Sequence, residues 1–97
     1  MSVYVLFQTL KVTDPEAFAA YRQRVGETVA RHGGRYLVRD GDVTTLEGNW
    51  SFTGPVMIEF PSEQAARGWY DSDEYRPLKE MRFSALTAAG VIMGGVA

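Results

Sequence analysis

The sequence contains no cysteine and only one histidine, His32. Without cysteine the chain can form no disulfide, thiolate metal site or thiol nucleophile, and one histidine excludes a histidine-rich metal site. No phosphate-binding loop or dinucleotide fingerprint is present either, because Gly33-Gly34 reads as the end of a helix. We therefore predict no metal and no cofactor.

Positive charge and long apolar runs are also scarce. The net charge is -2 and no run of lysine or arginine occurs, so nucleic acid is not expected as a partner. Residues 1–8 lack the cationic start of a signal peptide, and their apolar run is too short to span a membrane. These features predict a cytoplasmic protein with no membrane partner.

The residues that are present are typical of a globular protein. Hydrophobic residues make up 45% of the chain and charged residues 23%. A chain of 97 residues is long enough to bury one core. We expect one domain spanning residues 1–97.

Hydrophobic periodicity and turn residues predict four strands and two main helices. Asp14-Pro15-Glu16 is typical of a helix start, and Gly33-Gly34 of a helix end. Strands are predicted near residues 3–12, 35–39, 56–60 and 88–93, and the second is expected to resume through 43–47. A second helix begins at Ser62-Glu63, and a further short helix follows residues 71–74.

The order strand, helix, strand, strand, helix, strand is the ferredoxin-like βαββαβ pattern. It predicts an α+β fold in which an antiparallel sheet carries helices on one face. The first strand is apolar on both sides, with Val3 and Val5 on one and Tyr4 and Leu6 on the other, so the open face would also be apolar. A second copy would cover it, which predicts a homodimer, a dimeric α+β barrel with a cavity between the sheets.

Glu59 is the one charge in the otherwise apolar strand 56–60. Arg35 or Arg39 could reach it across a hairpin. A nearby guanidinium would keep the carboxylate ionised, whereas an apolar cavity would raise its pKa and make it a candidate general acid or base. A structural ion pair or a solvated residue is the alternative.

His32 is the second catalytic candidate, because histidine is the side chain that ordinarily titrates near neutral pH. It stands at the end of a helical stripe. The alternative is therefore that it bonds to the last carbonyl groups of the helix.

Aromatic and charged residues form a set of candidate ligand-binding groups, since aromatic walls with a few polar groups suit a flat or anionic small molecule. Trp69 has helical spacing that is also typical of a core residue, and Trp50, in a loop, could instead contact a partner subunit. The candidates are Arg39, Glu47, Trp50, Trp69, Tyr75 and Arg82.

Four segments carry a resemblance to a known family: HGGRYLVR at 32–39, LEGNW at 46–50, IEFPS at 58–62 and ARGWYDSDEY at 66–75. The chain resembles family thirteen-thirty of the domains of unknown function along nearly its whole length. The resemblance implies a ferredoxin-like subunit of a dimeric α+β barrel, similar in architecture to cofactor-independent monooxygenases and muconolactone-isomerase-like proteins. Asp40 departs from the family, whose members often have glycine there, so the turn is expected to differ.

Fold does not determine function. The sequence favours a protein that binds a small organic molecule in a cavity at the sheet face. A non-catalytic dimeric binding or regulatory protein is the first alternative, and a monooxygenase-like or isomerase-like enzyme is a further one.

Overall fold

A computed structural model describes residues 1–96 of the chain. The four strands form one antiparallel sheet in the order β2-β3-β1-β4, which confirms the predicted ferredoxin-like fold. No helix of this part of the chain is long and apolar enough to cross a membrane. The elements are β1 (Val3–Val12), α1 (Pro15–Arg31), β2 (Arg35–Arg39), β3 (Thr53–Phe60), α2 (Glu63–Tyr70), α3 (Arg76–Ala85) and β4 (Leu86–Gly94).

The helix ends follow from local side-chain chemistry. The Asp14 carboxylate accepts a hydrogen bond from the Ala17 amide at 3.1 Å, and Pro15 follows it at the first helical position of α1. The Ser62 hydroxyl accepts one from the Ala65 amide at 3.0 Å at the start of α2. Gly33, with φ 79°, provides the left-handed turn after α1.

The connection between β2 and β3 is longer and less regular than the sequence predicts. The prediction that the second strand resumes through 43–47 is wrong, because β2 ends at Arg39 and no strand forms again before Thr53. Asp40 turns the chain with φ 57°, a left-handed conformation that glycine favours and that aspartate tolerates. Its amide donates to the Pro55 carbonyl at 2.9 Å, which starts the irregular connection.

The sheet has one face covered by the helices and one open face. Val3, Val5, Ile58 and Phe60 are buried on the covered face. The intervening residues lie on the open face, where cross-strand partners bring apolar side chains together in rows. These open-face residues include Tyr4, Leu6, Met57, Val91 and Met93.

Candidate functional site

Two cavities lie on the covered face of the sheet. The smaller, about 40 Å³, lies between α1 and the sheet and has room for only a few water molecules. The larger, about 640 Å³, lies between α2, α3 and the strands β1 and β4. Sites for small molecules have volumes of roughly 300–1,000 Å³, so the larger cavity is the candidate site.

The walls of the larger cavity are mainly apolar. Trp69 is fully buried at its back, and its indole nitrogen donates to the Thr28 hydroxyl at 2.9 Å, which fixes the ring. Phe83 also lines the cavity and is exposed, so this part of the wall lies at the protein surface. The lining includes Phe7, Tyr70, Ala88, Gly90 and Ile92.

Arg82 is the charged side chain inside this cavity. The residue is 7% exposed, and its guanidinium carbon lies 4.6 Å from the centroid of the Phe7 ring and 5.0 Å from that of Phe83. Its Nε donates to the Tyr75 hydroxyl at 3.4 Å. Cation–π contacts and this hydrogen bond partly offset the desolvation of the charge.

Tyr75, which precedes α3, contacts Arg82, and Tyr21 of α1 in turn contacts Tyr75. Their hydroxyl oxygens are 2.8 Å apart, and either can donate to the other. Burial raises the pKa of both phenols, so both stay protonated at neutral pH. The pair therefore orients the guanidinium and is poorly suited to act as a general base.

Two further charged residues line the larger cavity at its outer part. Arg67 donates to Glu63 at 2.8 Å, and Asp71 lies 3.8 Å from the ammonium of Lys79. The Arg67 and Asp71 side chains are mostly exposed. Water and side chains on the same or neighbouring helices satisfy the charges of Arg67 and Asp71. The buried charge of Arg82 has no carboxylate partner in the described chain.

Glu59 lies on the open face and lines neither cavity. Its carboxylate accepts from Arg35 Nε at 2.6 Å and from the Tyr4 hydroxyl at 3.4 Å. The hydrogen bond from Arg35, with smaller contributions from Ser2 and Tyr4, holds the pKa of this carboxyl below its usual value. Glu59 is therefore ionised at neutral pH, as expected for a carboxylate beside a guanidinium.

Arg39 is not the partner of Glu59, so that part of the prediction is wrong. Arg35 pairs with Glu59 in the sheet, and an irregularity between Tyr36 and Val38 then places Arg39 opposite Val56. Arg39 consequently lies on the covered face, at the smaller cavity. There it donates to the Arg22 carbonyl at 2.8 Å and stacks 4.6 Å over Tyr36.

His32 caps α1 and lines neither cavity. Its Nδ1 lies 2.9 Å from the Thr28 carbonyl oxygen and 3.3 Å from a carboxylate oxygen of Glu74. Helix capping, the alternative stated for this residue, matches these contacts. A catalytic role for His32 would need a site other than the two cavities.

Glu47 and Trp50 belong to the exposed connection between β2 and β3. Trp50 is 51% exposed, and its ring packs edge-on against Phe52 with centroids 6.0 Å apart. Neither residue lines a cavity. Over residues 1–96, no three or more histidine, aspartate or glutamate side chains are grouped so that they could hold a metal ion.

The structure thus brings together only part of the predicted site. Trp69 and Arg82 line the larger cavity, and Tyr75 contacts Arg82. Phe7 and Gly90 were missed, although an isolated glycine within a strand signals a close approach. A Cβ atom on Gly90 would lie 2.6 Å from the Phe7 ring, so the glycine allows this ring to pack over β4.

Comparison with known proteins supports the fold. Residues 2–96 match the model of a family described as a domain of unknown function, DUF1330. No curated protein matches the chain. A protein of unknown function from Rhodopseudomonas palustris has a similar structure, with a TM-score of 0.78 and 19% identity over 99% of this chain and 83% of that one.

Two other solved structures share the architecture at lower identity. SnoaB, a cofactor-independent oxygenase from Streptomyces nogalater, has a TM-score of 0.66 and 14% identity over 99% of this chain and 93% of its own. A dimeric ferredoxin-like protein of unknown function from Jannaschia has a TM-score of 0.68 and 8% identity over 98% and 100% of the two chains. These likenesses concern the fold.

Proposed function

The chain belongs to the DUF1330 family, and we propose that this member binds a small organic molecule in the larger cavity and acts as a homodimer. The observation that carries the binding proposal is the cavity itself. Its volume of about 640 Å³ suits a small molecule, and its walls combine aromatic rings with one inner charge. Such a lining favours a flat, mainly apolar molecule with a polar group at one end.

The open face of the sheet supports the homodimer. Leu6 lies between Met57 and Val91 in the strand register, so three apolar side chains form a row across the centre of this face. Contiguous apolar surface of this kind is typical of an interface. A second copy packed sheet to sheet would cover it. The ferredoxin-like protein from Jannaschia that shares this fold is described as dimeric. The cavity predicted between two such sheets requires the partner subunit and stays a prediction.

Ligand binding can be tested with a glycine pair in β4. A panel of flat aromatic compounds would be screened by native mass spectrometry, and affinities measured for wild type, Gly90→Ala and Gly94→Ala. The Gly90→Ala methyl group would collide with the Phe7 ring, which must then shift within the cavity wall, so we expect weaker binding. Gly94→Ala is the matched control, because a Cβ atom there meets nothing within 4 Å.

Two results would contradict the binding proposal. One is that no compound of the panel binds the wild-type protein. The other is that Gly90→Ala binds a compound as tightly as Gly94→Ala does, which would place the ligand elsewhere.

The homodimer can be tested with two leucines in different environments. Leu6→Glu places a charge at the centre of the open face, whereas Leu46→Glu changes a side chain that is 94% exposed in the β2–β3 connection. We expect light scattering to give a dimer for wild type and Leu46→Glu and a monomer for Leu6→Glu. A monomeric wild type, or a Leu6→Glu variant that stays dimeric, would refute this assembly.

An oxygenase-like or isomerase-like activity is a second candidate. The observation that favours it is Arg82 within the aromatic cavity, since a fixed cation there would stabilise negative charge that develops on a bound molecule. The fold shared with SnoaB is compatible with this candidate. A compound that binds would be incubated with the protein in air and followed by mass spectrometry and chromatography. A protein-dependent product supports catalysis, and an unchanged compound supports binding alone.

A further inference from the structure

Arg82 is buried and has no carboxylate partner in the described chain, whereas Arg24 and Arg39, which also lack one, are exposed. Arg22, Arg31, Arg35, Arg67 and Arg76 each lie within 4.0 Å of a carboxylate. Arg82 is 7% exposed, yet no carboxylate among residues 1–96 lies within that distance of it. A buried charge is costly unless it has an ionic or hydrogen-bonding partner.

The hydrogen-bonding capacity of Arg82 is also largely unused. A guanidinium carries five N–H donors, and only Nε of Arg82 has a partner in the described chain, the Tyr75 hydroxyl. The two terminal nitrogens have no hydrogen-bond partner in the described chain but are not fully buried, so they keep some accessible surface. Arg82 lines both cavities, which favours access to these donors from within the protein.

The surroundings of the guanidinium restrict what could accept these hydrogen bonds. Phe7 and Phe83 flank the group, and Trp69 lies in the same cavity wall. An acceptor must therefore be carried on a body that tolerates aromatic, apolar walls. Two parallel N–H donors match the two oxygens of a carboxylate, and this charge-assisted pairing is stronger than one with a neutral acceptor.

We propose that the ligand of the larger cavity is a small aromatic carboxylate whose anionic group is held by the terminal nitrogens of Arg82. This inference rests on the proposed binding function and adds the chemical class of the ligand. Tyr75 and Tyr21 hold the guanidinium from its Nε side, and the aromatic walls hold the body of the ligand. Binding would thus supply the counter-ion that the fold itself lacks at this position.

The test compares two probes of nearly the same shape, 2-naphthoate and the uncharged 2-naphthamide. Calorimetry would give the affinity of both probes for wild type, Arg82→Gln, Arg82→Lys and Arg76→Gln. We expect wild type to prefer the carboxylate on the order of tenfold to a hundredfold, as for a charge-assisted hydrogen bond. Arg82→Gln should remove the preference, and Arg82→Lys should retain part of it. Arg76→Gln is the matched control on the same helix, because Arg76 lines neither cavity and pairs with Asp73, and it should keep the full preference.

The possible outcomes separate the two proposals. If wild type binds both probes equally, or if Arg82→Gln keeps the preference, the carboxylate inference is wrong while the binding function stands. If neither probe nor any compound of the wider panel binds wild type, both proposals fail. Should Arg82→Gln not fold, the preference of wild type together with its partial retention in Arg82→Lys still decides the question.

Discussion

On the open face of the sheet, the carboxylate of Glu59 lies 2.6 Å from Nε of Arg35, whereas on the covered face the guanidinium of Arg82 has no carboxylate partner in the described chain. Both charges lie beside apolar side chains. Glu59 gains its partner from the neighbouring strand, and Arg82 has instead a tyrosine and two aromatic rings. The contrast favours a structural role for the paired charge, and the unpaired charge is the observation behind the ligand-binding role proposed for Arg82.

The largest expected effect comes from adjacent residues of β3 that point to opposite faces. Ile58 is 1% exposed on the covered face, so Ile58→Ala should lower the free energy of unfolding by about 2–5 kcal/mol. Met57→Ala, on the open face, should cost less, and its cost should grow with protein concentration if a second copy covers this face. Denaturant unfolding at several protein concentrations measures both. Equal losses that do not depend on concentration would break the comparison of the two faces.

A smaller effect is expected from two tyrosine hydroxyl groups. Tyr75→Phe leaves the buried hydroxyl of Tyr21 and Nε of Arg82 without their partner, which should cost about 1–3 kcal/mol. Tyr4→Phe removes only a 3.4 Å contact to Glu59 on the open face and should cost less. Unfolding of the two variants in urea provides the measurement. A larger loss for Tyr4→Phe would show that the open face holds the more important polar network.

The smallest effect concerns the pH dependence of the Glu59 pair. Arg35 lowers the pKa of Glu59 in the folded protein. The ionised pair therefore stabilises the fold at pH values above the ordinary glutamate pKa of 4.5. This contribution is lost as the pH falls through the lowered pKa that Glu59 has in the folded protein. Glu59→Gln should therefore be slightly less stable than wild type at neutral pH, and the difference should vanish in acid.

The control for this measurement is Glu63→Gln, which removes an exposed pair with Arg67 within α2. It should change stability little at any pH, because exposed pairs contribute little. A difference between Glu59→Gln and wild type that widens in acid would contradict the assigned ion pair.

Much of the fold was predictable because it depends on local patterns. Asp14-Pro15 and Ser62 start their helices through interactions within a few residues, and these interactions do not depend on what the helices pack against. Strand alternation likewise assigns neighbouring residues to opposite faces. The irregular connection after Asp40 was less predictable. Its course depends on a backbone hydrogen bond to Pro55, 15 residues later in the chain, and on the pairing of Asp40 with Arg22.

The candidate site was predictable only in part, for a related reason. Trp69, Tyr75 and Arg82 could be proposed from their chemistry, whereas Phe7 joined them only when its strand packed beside Gly90 of β4. His32 has the chemistry of a catalytic group, yet the end of α1 places it against Thr28 and Glu74.

By itself the sequence determined the order of the elements, the ferredoxin-like fold and the fact that Glu59 needs a partner, because capping and alternation act over a few residues. The tertiary structure decided which guanidinium meets which charge. The irregularity in β2 assigns Arg35 to Glu59 and turns Arg39 to the other face, and the packing of α3 leaves Arg82 buried without a carboxylate. Strand register and helix packing depend on residues far apart in the chain, so a single residue's chemistry cannot reveal them.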